Sequence, residues 1–313
     1  MSADQSRSLH VLPVHTLANG HQLGLHVHEI RGARPGPTLG IIGTIHGDEP
    51  LSIEIIRRIV QATDPATLGG TIRALPVANP YALMSLTRNT PIDMNNLNRI
   101  FPGDQNGFQT EQLASVIAEK FIPGIEYLID LHSGGNLATV DYAYIHDEGS
   151  ELSRVFGLDL LYRGKSYPGS LGDVARKQGI PTVVSELGGG MQKSEYFVER
   201  GVRSIRNVMI HLGMIEGTAV RPAKQTIIND MSILRPHHGG LMYSEVTVDQ
   251  LGSSVPKGTV LGRIVSPFTF EELEVVEAPF EPSILVLVRE PVTKVDPGDY
   301  GFMVADGSTA EPA

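Results

Sequence analysis

Three short apolar runs constrain this 313-residue chain more than any other feature: TLGIIGT at 38–44, YLIDLH at 127–132 and IPTVVSEL at 180–187. A brief continuous apolar run bounded by turn residues is the pattern of a strand buried on both faces. Amphipathic segments separate them. From Glu49 to Gln61, Ile53, Ile56, Ile59 and Val60 form one apolar stripe, and 111–121, 171–179 and 194–213 also have helical spacing. Strands alternating with helices predict an α/β domain with a mixed, mostly parallel sheet flanked by helices.

The ends of the chain differ from this middle. LHVLPVHTL and HQLGLHVHEI alternate around Ala18-Asn19-Gly20 and predict a hairpin. From Ile228 to Val304 no helical period is visible, and short strand-like runs follow one another between Gly and Pro turns. That pattern predicts a smaller all-β domain. The expected division is a catalytic domain over 1–220, a C-terminal β domain over 225–306 and a small, polar, disordered tail over 307–313.

Chemistry gathers where the apolar runs end. GTIHGDEP follows the first, placing His46 and Glu49 across a strand-to-helix junction. His132 closes the second and precedes Ser-Gly-Gly. Ligands of open α/β sheets bind beyond the C-terminal strand ends, and two histidines with one carboxylate make a catalytic zinc pattern. The chain has no cysteine, so a metal here must use His, Asp or Glu. Asp130 shares a strand face with His132; it can brace a ligating imidazole or be a buried carboxylate with backbone partners. His26 and His28 share a strand face too, but surface histidines of a hairpin are the simpler reading. Lys257 precedes a Gly in an ordinary turn and lacks the setting of a carrier lysine.

A net charge of −10 argues against nucleic acid as a partner. No stretch is long and apolar enough to span a bilayer, and the N-terminus lacks a signal core, so a cytoplasmic protein is expected. A homo-oligomer is left open.

Four ordered segments, GTIHGDEP, VANPYALMSLTRNTPIDMNNLNRIFPGD, LIDLHSGG and PTVVSELGGG, resemble the succinylglutamate desuccinylase/aspartoacylase family of the zinc carboxypeptidase superfamily. Their wording is nearest to its bacterial N-α-acetyl-2,4-diaminobutyrate deacetylase-like members. The resemblance implies a carboxypeptidase-like fold and removal of a small acyl group, such as acetyl or succinyl, from an N-acyl amino acid. It implies one Zn2+ per chain on His46, Glu49 and His132, with Glu186 as general base toward a zinc-bound water. Arg88 then stabilises the oxyanion, and Asn98 with Arg99 binds a substrate carboxylate or amide. Asn96 departs from the family's usual DLNR, and Arg176 is a displaced match for the arginine expected upstream of the glutamate. Tyr243, near the entry to the β segment, is expected to reach the substrate as part of a lid. Two alternatives stand beside this: a zinc carboxypeptidase for small peptides, and a non-catalytic binding protein on the same fold.

Overall fold

The computed structural model describes residues 6–146, 150–190 and 193–313. The hairpin is present as β1 (Arg7–Thr16) and β2 (Gln22–Arg31). The first apolar run completes β3 (Arg34–Gly43), followed by α1 (Leu51–Ala62), β4 (Gly69–Leu75), α2 (Pro80–Ser85) and α3 (Gln109–Val116). The second run is β5 (Tyr127–His132), followed by β6 (Ala138–Thr139), β7 (Tyr142–Tyr144), α4 (Ser150–Phe156), β8 (Leu160–Tyr162) and α5 (Leu171–Lys177). The third is β9 (Thr182–Glu186), and α6 (Ser194–His211) follows it.

With β10 (Thr226–Ile228), a ten-stranded sheet runs in the order β1-β2-β4-β3-β5-β9-β7-β8-β10 and ends on a last strand from the C-terminus. Its centre, β4-β3-β5-β9, is parallel. The chain leaves β3 toward β4 on one side and takes up β5 on the other. The crevice above β3 and β5 is therefore the topological switch point, where such sheets bind ligands.

Both faces of the central strands are covered, as their continuous apolar character demands. Leu39, Ile41, Ile129 and Leu131 pack with Ile55, Ile56, Ile59, Phe156 and Ile205 from α1, α4 and α6. Ile42 and Leu128 face the other way, toward Leu97, Phe101, Leu113, Phe121 and Leu171. α5 thus lies on the face opposite α1.

The remaining strands form two antiparallel sheets. One orders β11 (Met231–Leu234), β18 (Phe302–Asp306), β16 (Ser283–Val288) and β13 (Ser254–Val255); the other orders β15 (Glu272–Glu277), β14 (Val260–Val265), β12 (Gly240–Ser244) and β17 (Val292–Val295). Met242, Ile264, Leu285, Phe302 and Val304 fill the space between them.

Two strands cross the division expected from sequence. β6 pairs with β16, and β10, inside the expected 225–306 unit, runs in the large sheet. The tail departs from expectation as well. Gly307–Thr309 form a 3-10 turn, and β19 (Glu311–Pro312) pairs antiparallel with β10. Capping a sheet edge satisfies backbone groups that would otherwise need water, which polar composition alone does not reveal. Among the described residues, no helix is long and apolar enough to cross a membrane.

Ile129 is fully buried between β3 and the α1–α6 layer. Replacing it with Ala is expected to cost about 2–5 kcal/mol of folding free energy. Urea denaturation of the chelated protein measures this without any contribution from bound metal.

Candidate active site

The crevice at the switch point holds a cavity of about 330 Å³, within the range of small-molecule sites. His46 reaches it on a turn that leaves β3 through Thr44, whose φ of 53° is left-handed. Ser52 holds the turn by accepting from Thr44 N at 3.0 Å. Gly47 is needed next because a Cβ there would overlap the backbone carbonyl of Ala82. α1 starts two residues after Glu49, so the carboxylate sits just ahead of the helix N-terminus.

His46, Glu49 and His132 converge, and all three are buried. Glu49 Oε1 lies 2.7 Å from His46 Nδ1, and Oε2 lies 2.9 Å from His132 Nδ1. Ser133 N also donates to Oε2 at 3.2 Å. One ligand atom from each residue falls within 4.8 Å of the others, the only such group of three among the described residues.

Outer partners orient both rings. His46 Nε2 is 3.2 Å from Asn96 Oδ1, and His132 Nε2 is 3.2 Å from Asp130 Oδ1. With a proton on each Nε2, both Nδ1 lone pairs face the Glu49 carboxylate. Electron pairs converging in a buried space require a cation between them, and this donor set suits zinc. The electrostatics agree. Burial alone would push Glu49 up, but the two imidazoles outweigh it and hold Glu49 well below the usual carboxylate range. Burial opposes charge on His132, yet Asp130 and Glu49 raise it well above the ordinary histidine value. On His46 burial prevails instead and lowers the pKa.

The other expected residues fall as follows. Glu186 ends β9 beside His132 on β5 and opposite Tyr142 on β7. Burial, followed by the charge of Glu49, pushes its pKa up to about 8. Arg88 aims Nη1 at Glu49 Oε1, 3.3 Å away. Asn98 lines the cavity but is already engaged: Nδ2 stands 3.3 Å from His132 Nε2, and Oδ1 accepts from Leu171 N at 2.9 Å. Arg99 also lines it, with its guanidinium 4.6 Å from the Tyr167 ring centroid.

Tyr243 does not line the cavity. It sits on β12 in the outer sheet, 41% exposed. The aromatic wall from this half of the chain is Tyr300 instead, joined by Ile233, Leu287 and Met303. Arg235 lies over the Tyr300 ring, and Arg289 Nε donates to its carbonyl at 2.7 Å.

Sequence reasoning missed Asp48, Tyr142, Tyr144, Lys165 and Tyr167, which all line the cavity; Arg176, set aside as displaced, lines it too. Three had a readable signal. Asp48 lies inside GTIHGDEP, and the tyrosines of DYAYI alternate with strand period toward the glutamate's face. Tyr300 sits in a turn with no such signal.

Residues 35–212 match the succinylglutamate desuccinylase/aspartoacylase catalytic domain. The N-α-acetyl-L-2,4-diaminobutyric acid deacetylase of Halomonas elongata is 30% identical over 286 residues, covering 87% of this chain and 82% of that one. Among solved structures, the product-bound ectoine utilization protein of Ruegeria pomeroyi matches with a TM-score of 0.85 at 24% identity, over 96% of this chain and 94% of that one. A succinylglutamate desuccinylase/aspartoacylase from Rhodobacter sphaeroides gives 0.85 at 23% identity, over 98% of both chains.

Asp130→Asn keeps the shape behind His132 and removes the charge. It is expected to weaken zinc binding by about 10–100-fold, while His132→Ala abolishes stoichiometric binding. Competition against a chromophoric chelator measures both, and unchanged affinity in Asp130→Asn would contradict the bracing role.

Proposed function

Because the chain belongs to the succinylglutamate desuccinylase/aspartoacylase family and has its carboxypeptidase-like α/β fold, we propose that it is a zinc-dependent amidohydrolase that removes a small acyl group from an N-acyl amino acid. One observation carries the reading: a buried His46–Glu49–His132 cluster shares a cavity with Glu186 and Arg88. His46, Glu49 and His132 would hold a zinc ion, which would supply Lewis acidity toward a water and the amide carbonyl.

The remaining chemistry belongs to the chain. Glu186, its pKa near neutrality, takes a proton from the attacking water as the new C–O bond forms. Arg88 holds the carbonyl oxygen as negative charge develops on it, a fixed cation that needs no reorganisation. Glu186 then passes its proton to the amide nitrogen as the C–N bond breaks. With the second water proton also passing to the departing nitrogen, a free carboxylate and an ammonium result. Asn98 acts here mainly by accepting from Leu171 N, which fixes the start of α5, and Arg99 offers its guanidinium to the substrate carboxylate.

The cavity favours this over a general carboxypeptidase. Ile233, Leu287, Tyr300 and Met303 close one side, and about 330 Å³ suits an acylated amino acid better than a polypeptide. The Halomonas elongata relative is named for an N-acetylated diamino acid, so N-acetyl amino acids are the first substrates to test.

Glu186→Gln is expected to lower kcat by about 10²–10⁴-fold while zinc content stays at one per chain. Near wild-type turnover in that variant would refute the mechanism. Chelation should abolish hydrolysis and added zinc should restore it. A panel of N-acyl amino acids and dipeptides should show turnover of the former; turnover confined to dipeptides would favour the peptidase.

A further inference from the structure

We propose that Asp48 sets acyl-group specificity: its carboxylate faces the acyl end of the cavity and turns away chains that end in negative charge, so that acetyl is taken in preference to succinyl. This rests on the amidohydrolase reading above.

Charge is sorted across the cavity. Arg99, Lys165 and Arg176 line it on the side of α5. Arg99 stacks on Tyr167, and Arg176 donates to Ser166 Oγ at 2.8 Å, tying both arginines to the segment that follows β8. Asp48 lines it on the opposite side, in the turn entering α1. There it packs against Gly135, where a Cβ would stand 2.6 Å from its Oδ2. Asp48 leads into α1, which packs on one face of the sheet, whereas Arg176 belongs to α5, which packs on the other.

An N-acyl amino acid is polar in the same sense. Its carboxylate is drawn to the cationic side, so with the amide over the centre its acyl chain points toward Asp48. Asp48 Oδ1 is buried and has no hydrogen-bond partner. Arg88 attracts the carboxylate from nearby, but its Nη1 points at Glu49 Oε1 and His46 Nδ1. An acetyl group brings only a methyl to this wall. A succinyl group brings a second carboxylate to an existing one in a partly desolvated space, and repulsion of that kind is how sites reject a near relative of their substrate.

The test compares kcat/KM for the N-acetyl and N-succinyl derivatives of L-glutamate, L-aspartate and L-2,4-diaminobutyrate. The wild-type protein should prefer acetyl on whichever amine it accepts. Asp48→Asn should raise the succinyl-to-acetyl ratio of kcat/KM by about tenfold. Asp48→Ser, which also shortens the side chain, should shift the ratio the same way. Zinc content and Tm report whether either variant is merely damaged.

Titrating the same compounds into Glu186→Gln, with and without Asp48→Asn, reads the preference without turnover. Equal acetyl and succinyl values in the wild type would overturn the assignment, as would an Asp48→Asn effect that is the same for both. A preference for aminoacyl derivatives that Asp48→Asn abolishes would also overturn it, because Asp48 would then be an ammonium site. If the zinc-loaded protein hydrolyses no acyl amide, the amidohydrolase reading fails. The binding titration still decides whether Asp48 discriminates between the two acyl groups.

Discussion

The site depends on one costly interaction, the burial of the Glu49 carboxylate between two imidazoles. An uncompensated carboxylate removed from water costs several kcal/mol, so the fold must deliver its partners with little freedom. It does so by ending β5 on His132 and carrying His46 on the Thr44 turn that leaves the adjacent parallel strand β3, a turn held by Ser52. Glu186 arrives from the next strand in the same way. His132 and Glu186 are therefore held by the sheet itself, while His46, Glu49 and Arg88 come from the turns beside it.

Close backbone approach is the second constraint. The turn after β3 must carry both a ligand and a carboxylate while passing α2, and only a residue without a side chain fits at Gly47. Gly189, at φ 155° after β9, lies so close to Gly134 and Leu137 that a Cβ would meet their backbone atoms. These glycines let the loops after β5 and β9 nest together above the sheet. Gly134 N, which donates to Gly188 O at 2.6 Å, ties them. The crevice owes its depth to glycine as much as to its charged lining.

The central strands, the helices between them and the convergence of His46, Glu49 and His132 were legible because each is a local pattern: an apolar run, a helical stripe, a polar side chain at or beyond a strand end. What escaped was set by long-range contact. β6 and β19 are two-residue strands whose pairing depends on segments far away in sequence. Tyr243 was placed near the substrate from its position along the chain. The strand order of the outer sheets instead carries it to the surface and presents Tyr300, whose ring is held by Arg235 from another segment. No periodicity in either segment encodes that exchange. The two sequence units are likewise not separable where β10 joins the large sheet, because a three-residue strand carries too little pattern to declare its partner.

The departure at Asn96 acquires a physical meaning from its place behind His46. His132 is backed by Asp130, a fully buried carboxylate whose nearest positively charged partner is that imidazole. A carboxylate in that position makes the ring a stronger ligand. His46 is backed by an amide, which accepts from Nε2 and fixes the ring's tautomer without adding charge. Glu49, Asp130, Glu186 and Asp48 already place four carboxyl groups around this crevice, opposed near the cluster by Arg88 and the two imidazoles. A fifth at position 96 would have raised the cost of assembling the site before any metal arrived. The same amide oxygen also accepts from Asn98 N at 2.9 Å, capping the 3-10 turn that carries Asn98 and Arg99. One neutral side chain thus orients a ligand and anchors the substrate-side turn, and the substitution acts on the charge balance of the metal centre.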